Sequence, residues 1–194
     1  MKRFPLEQYA TLELNQVAFP KTGMVVSQTP LGSAFTKDAP CENGMWVVAD
    51  KAAGAINPPA ANAANIPMGI VYTAEKEYDI FHYGLKTFGR KIEGDYPRVG
   101  ILGVNDTVTT NCLQYDDETD FPATSGDDAK TSDEVLFAAL EKIDTNPLYV
   151  VPVNGSAVPK IAKSIPNTGI YAKIVKFYTV PNGEKGVKYQ IMRI

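Results

Sequence analysis

The sequence offers one histidine, His82, and only two cysteines, Cys41 and Cys112. That scarcity excludes most catalytic and metal-bound designs. A protein zinc site prefers three or four Cys and His ligands. General-base work by a lone histidine still needs a nucleophile and an orienting group within reach. His82 lies among aromatic neighbours in the run Asp79-Ile-Phe-His-Tyr83 and is read as structural. The two cysteines form no CxxC pair, so a disulfide framework is not indicated and both are expected as reduced, half-buried thiols. The Gly-x-Ser-x-Gly, His-Glu-x-x-His, P-loop and Gly-x-Gly-x-x-Gly signatures are also missing. No catalytic residue, cofactor or metal is therefore expected, and an enzyme working on carboxylates alone would have to use a pair such as Asp79 and Asp95. No apolar run approaches the roughly 20 residues that cross a bilayer. The opening Met-Lys-Arg-Phe-Pro-Leu-Glu-Gln lacks the apolar stretch of a secretory signal. No membrane association is expected.

What is present favours β structure. Hydrophobic residues make up 44% and charged residues 21%, enough for a packed core and against wholesale disorder. Fifteen glycines and 14 prolines cut the aliphatic residues into short clusters, which suits strands and turns. Strands are expected at 11–17, 23–29, 44–49, 68–73, 99–104, 107–113, 148–153, 170–180 and 186–194, with one or two more and irregular connections within 74–97. The run at 44–49 is apolar throughout, so both its faces should be covered. Asn105-Asp106 predicts a hairpin between 99–104 and 107–113, and Asn182-Gly183 another between the last two strands. One helix is expected over 131–143: Thr131 and Glu134 make a capping-box pattern, and Val135, Leu136, Ala139, Leu140 and Ile143 form one apolar stripe. The fold class is mainly β, a small β-barrel or sandwich-like body with that short amphipathic helix and an extended N-terminal arm at 1–22. Residues 23–194 form a single β-rich domain, or two related β units (23–115 and 147–194) joined by the acidic loop and helix of 116–146. The second alternative rests on an echo. Trp46-Val-Val48 leads through a Gly/Ala/Pro loop to Pro67-Met-Gly-Ile70, and Tyr149-Val-Val151 leads through a similar loop to Asn167-Thr-Gly-Ile170.

The net charge of −3 conceals a segregation. Residues 1–112 carry ten basic and eleven acidic groups, residues 113–146 two basic and ten acidic, and residues 147–194 seven basic and one acidic. The middle block is thus −8 and the last +6, an arrangement that can attract within one molecule or between neighbours. The acidic loop lacks the ligand spacing of an EF-hand. The basic tail has no accompanying reading helix, alternation places Lys173 and Lys176 on opposite strand faces, and the acidic block repels phosphate, so nucleic acid is not an expected partner. The candidate partner-binding residues are Phe4, Tyr9 and Leu12 on the arm, Asp116 and Asp117 in the acidic loop, and Lys173 and Lys176 in the tail.

The passages Gly44-Met-Trp-Val-Val-Ala-Asp50, Pro67-Met-Gly-Ile-Val-Tyr72 and Pro97-Arg-Val-Gly-Ile-Leu102, together with Asn105-Asp-Thr-Val-Thr-Thr110, resemble the small-β head-decoration proteins of tailed phages. The resemblance covers residues 23–113 and is echoed at 148–178; the acidic loop and the helix depart from the smallest members. It implies a virion protein made in the host cytoplasm, which decorates or stabilises the capsid from outside. It also implies that the major capsid protein or other virion subunits are the partners, and that the chain is a homo-oligomer or lattice-bound. Two other readings stay open. One is a phage tail or connector component. The other is a ligand- or carbohydrate-binding β module with Trp46, Tyr72, Tyr78, Phe81 and Tyr83 as an aromatic platform.

Overall fold

The computed structural model describes residues 1–6, 10–12, 25–26, 29–50, 54–60, 68–73, 91–126, 128–179 and 183–194. In chain order the strands begin with β1 (Lys2–Arg3), β2 (Val25–Val26), β3 (Trp46–Asp50), β4 (Ala55–Asn57), β5 (Met68–Val71), β6 (Val99–Ile101), β7 (Thr107–Thr110) and β8 (Gln114–Tyr115). The helix α1 (Ser132–Leu140) comes next, then β9 (Tyr149–Val153), β10 (Ser156–Ala162), β11 (Tyr171–Thr179) and β12 (Lys185–Arg193). They form a five-stranded sheet ordered β2-β6-β5-β3-β4 and a seven-stranded sheet ordered β1-β8-β10-β9-β11-β12-β7. The mainly β, sandwich-like body expected from the sequence is what is found, without a closed barrel. The larger sheet must nevertheless curl. β8 and β7 lie five places apart in its strand order, a separation of about 24 Å in a flat sheet. Yet the stretch from Thr110 to Gln114 reaches at most about 14 Å.

The main core fills the space between the sheets. Trp46 and Val48 of β3 and Met68 and Ile70 of β5 meet Val108, Val150, Ala172, Ile174, Val187, Tyr189 and Ile191 of the larger sheet. Val47, Val71 and Val99 alternate to the other side of the smaller sheet, where Leu31, Phe35, Cys41 and Met45 from the preceding loop, with Ala157 and Val158 of β10, make a second cluster. β3 is therefore covered on both faces, as its unbroken apolar run predicts. The two sheets are clasped at Trp46 and Tyr189, both wholly buried. The indole Nε1 donates to the tyrosine hydroxyl at 2.9 Å, and the rings meet edge to face with centroids 5.9 Å apart.

Helix α1 starts as predicted. The Thr131 hydroxyl accepts from the Glu134 N–H at 3.3 Å, and the Glu134 carboxylate accepts from the Thr131 N–H at 2.7 Å. Those bonds draw the Glu134 carboxyl below its ordinary range, the backbone bond most of all. Leu136 and Leu140 are buried, and Val135, Ala139 and Ile143 flank them against the core. Phe137 stacks on Phe177 of β11 at 5.5 Å and meets Phe4 edge-on at 5.7 Å.

Two expectations need correction. The 99–104/107–113 hairpin does not form, because β6 belongs to the smaller sheet and β7 to the larger. Asn105-Asp106 makes a corner between them instead. The buried Asp106 carboxylate folds back to accept from the Gly103 N–H at 2.6 Å, while the Asn105 N–H, at φ 77°, reaches the Ile191 carbonyl of β12 at 2.9 Å. The strands β4 and β10 lie where loops, not strands, are expected. β10 contains Pro159, which has no N–H for a ladder, and its pairing with β9 shifts register between Ser156 and Lys160 around that residue.

Two substitutions test this core. Tyr189→Phe leaves the buried Trp46 indole N–H without its acceptor and should cost about 1–3 kcal/mol in urea unfolding monitored by Trp46 fluorescence. Leu140→Ala removes a side chain that is 1% exposed and should cost about 2–5 kcal/mol. A change below about 0.5 kcal/mol for Leu140→Ala would place α1 outside the core.

Candidate interaction surface

The outer face of the β11–β12 ribbon brings three lysines of the described strands together. Along β11, Ala172 and Ile174 point into the core and Lys173 points out. The alternation then breaks. Ile174 pairs with Tyr189 and Lys176 pairs with Lys188, so Val175 is an extra, unpaired residue. This bulge re-aims the side chains beyond it. Lys173, opposite Gln190, and Lys176, opposite Lys188, share one face, since Lys188 and Gln190 are two apart on β12. The expected placement of Lys173 and Lys176 on opposite faces is thereby overturned; a period of two does not survive an inserted residue. Phe177, paired with the buried Val187, turns inward to meet Phe137. Tyr149, the β9 partner of Lys173, shares the outer face, as does Tyr171 two residues before Lys173. Tyr149 and Tyr171 meet edge-on at 6.0 Å, and the Arg193 guanidinium lies 4.9 Å from the Tyr171 ring centre. Arg193 also donates to the carbonyls of Gly169 and Pro166 at 2.8 and 2.6 Å, so it is already engaged.

The acidic region is partly committed to holding its own shape. The Asp116 carboxylate accepts from the backbone N–H groups of Glu118 and Thr119 at 3.1 and 3.0 Å; the Thr119 bond above all lowers its pKa. Asp117 lies 3.4 Å from the Met1 amino group, Asp120 3.5 Å from Lys160 and Asp133 2.8 Å from Lys2. Tyr115 also donates to Asp133. Asp116 and Asp117 thus serve a turn and an ion pair within the chain. Among the described residues of this region, the exposed carboxylates outside these contacts and the Glu134 cap are Glu118, Asp128, Glu141 and Asp144. Sequence pattern alone gives no means of separating the two groups, because the difference lies in which backbone N–H groups the loop turns toward them.

The N-terminal residues are built into the body, against the expectation of a free arm. β1 pairs with β8, the Phe4 N–H donates to the Leu113 carbonyl at 2.8 Å, and the Phe4 side chain, 1% exposed, lies in the main core. Glu42 holds both ends of the described segment, accepting from Arg3 at 3.1 Å and from the Ala10 N–H at 3.3 Å. Thr11 exchanges backbone and side-chain bonds with Asn111, and Leu12 bridges to Thr110 with its side chain buried. Phe4 and Leu12 are therefore core residues and not partner contacts. Tyr9 lies outside the described residues, as do His82, Asp79, Tyr78, Phe81 and Tyr83. Trp46 is wholly buried, which removes it from an exposed aromatic platform, and Tyr72 is half-buried against the core.

Cys41 and Cys112 are buried free thiols, more enclosed than the half-buried pair expected. Burial raises both pKa values, that of Cys112 to about 12, so neither is a reactive thiolate near neutral pH. Gly44 lies against Cys112: at φ +92°, a Cβ there would be 2.6 Å from the Cys112 Cβ. Among the described residues no group of three His, Cys, Asp or Glu side chains is placed to hold a metal ion, and no helix is long and apolar enough to cross a membrane. Because Phe4 is a core residue, Phe4→Ala should destabilise the chain by about 3–5 kcal/mol in chemical unfolding. A loss below about 1 kcal/mol would return the segment to a dispensable arm.

Compared with known proteins, the chain matches no family model, no curated protein and no solved structure.

Proposed function

We propose that this chain is a structural protein of a tailed-phage virion, which decorates or stabilises the capsid by surface binding to capsid subunits. The observation that supports this reading is a clasped two-sheet body that turns lysines outward on one sheet face while exposed carboxylates flank the helix packed on the other. Such a body can bridge neighbours without changing shape. Opposite charges on its two sides orient it as it docks and speed the encounter more than they add affinity. Its partners are the major capsid protein or other virion subunits, and it works in multiple copies, as a homo-oligomer or bound to a lattice.

The test is the particle itself. Virions purified from the phage that encodes the chain should contain it in numbers matching the capsid lattice, with its density on the head surface. Raising salt from 0.1 M to 1 M, where the Debye length falls from about 10 Å to about 3 Å, should release it. Absence from virions ends this reading, and density confined to a tail or connector ring assigns the chain to that component instead.

A further inference from the structure

Lys176 and Lys188 stand directly opposite each other across β11 and β12, and Lys173 lies along the same face. Like charges in register repel. Among the described residues little relieves them. None of the three is among the ion pairs of the described residues, and Lys176 has the Tyr178 ring 5.7 Å from its Nζ. On the other side of the same ribbon, Phe177 and Val187 point inward and α1 lays Phe137 on Phe177. The helix ends at Leu140, so Glu141 and Asp144, both exposed, follow directly on the element that packs on the inner side of this ribbon. Glu141 is the C-cap, and the last turn has no basic residue. The partial negative charge of the helix C-terminus therefore adds to two carboxylates, and Lys142 between them leaves the segment net negative.

Within one chain the sheet keeps these poles apart. Two chains can join them only head to tail, the lysine face of one against the helix end of the next. We infer that the outer β11–β12 face, through Lys173, Lys176 and Lys188, is a docking site for the Glu141/Asp144 end of α1 in a second copy of this chain. The contact rests on the assembly reading above and supplies its copy-to-copy bond. Because the two patches differ, the contact is heterologous and repeats from copy to copy, closing into a ring or extending over a lattice. The tyrosines of this face do not favour single-stranded nucleic acid, since Tyr149 and Tyr171 are packed edge-on against each other and Arg193 covers Tyr171.

Sedimentation velocity over a concentration series at low salt tests it with two variants, Lys173→Glu/Lys176→Glu/Lys188→Glu and Glu141→Lys/Asp144→Lys. The wild type should self-associate, and each variant alone should do so about tenfold more weakly or worse. An equimolar mixture should recover association, because the first variant keeps the native helix end and the second the native lysine face. Circular dichroism checks that both remain folded. If either does not, the neutral versions (Lys→Gln at the three lysines, Glu141→Gln/Asp144→Gln) replace them, and their mixture should stop at a dimer, each chain having one live pole. A wild type that is monomeric at every salt concentration overturns the inference. So does a mixture no better than its components, or a lysine variant that loses oligo-dT binding while self-associating normally. Virion content of the same variants separates this contact from the function proposed above. Variants that cannot self-associate yet still fill the particle end the contact alone, whereas self-association by a chain absent from virions ends the virion reading alone.

Discussion

The hydrogen bond from the Trp46 indole to the Tyr189 hydroxyl, closed to solvent and 2.9 Å long, joins the smaller sheet to the larger through the middle of the core. Each of these large rings buries apolar area but has a polar tip that is costly to bury without a partner. Pairing the two tips solves both problems at one point. It also sets how the sheets face each other. Strand side chains alternate, so a slip of one residue in β3 or β12 would send Trp46 or Tyr189 to the wrong face and leave the other's polar group orphaned. Burial holds the Tyr189 hydroxyl protonated far above the range of a free phenol, so it remains available to accept the indole N–H. Met68, Ile70, Val187 and Ile191 pack in the same cluster, and their positions follow from that registration.

Around this clasp the chain builds the same arrangement twice. The smaller sheet runs β2-β6-β5-β3-β4, and the larger contains β7-β12-β11-β9-β10, with every neighbouring pair antiparallel in both. β8 and β1 extend the second set beyond β10. The echo between Trp46-Val-Val48 and Tyr149-Val-Val151 falls on the two equivalent strands β3 and β9. The Gly-Ile parts of the echo are not equivalent. Trp46 pairs with Ile70, but Tyr149 pairs with Lys173, three residues past Ile170. Gly69 lies inside β5, where a Cβ would come within 2.3 Å of a Val99 methyl, whereas Gly169 precedes β11 at φ +79° with open space around it. One glycine answers to packing and the other to backbone conformation, so the likeness resides in strand order more than in those letters.

Much of the fold was legible because local chemistry and tertiary role agree. Thr131 and Glu134 cap the helix that their spacing announces, the Leu136/Leu140 stripe is the buried one, and the β11–β12 pair lies where its two β-prone runs and the Asn182-Gly183 signal put it. The failures share a cause: long-range pairing decided what local pattern could not. Asn105-Asp106 has hairpin composition, but the pull of β12 on Asn105 and of Asp106 on Gly103 makes it a corner. Pro159 argues against β10 locally, yet Lys160 and Ile161 beyond it have partners on both sides, in β8 and β9. Phe4 and Leu12 carry no sign of burial in so short a polar context; Glu42, Asn111 and Leu113, distant in sequence, bring them in. At the surface, Lys173 and Lys176 were legible as residues but not as neighbours, and Lys188 was one of seven basic residues with nothing to single it out.

The bulge at Val175 ties the core to the surface. With strict alternation, Lys176 would face the core and Phe177 the solvent; the extra residue reverses both, turning Phe177 onto Phe137 and Lys176 outward beside Lys188. Exposed ion pairs contribute about 0–1 kcal/mol each, so the contacts of Asp117, Asp120 and Asp133 shape the acidic region without holding the fold together. What holds it is apolar burial between the sheets, to which the helix is joined through the stack of Phe137 on the half-buried Phe177. The lysine face is therefore set by the same backbone step as the seat of α1. A chain that repaired the bulge to relieve the repulsion of Lys176 and Lys188 would send Lys176 inward and leave Phe137 with Phe4 as its ring partner and no stack on β11. The core thus keeps in place a charge arrangement that does nothing for the stability of the single chain, and the proposed contact between copies is built on it.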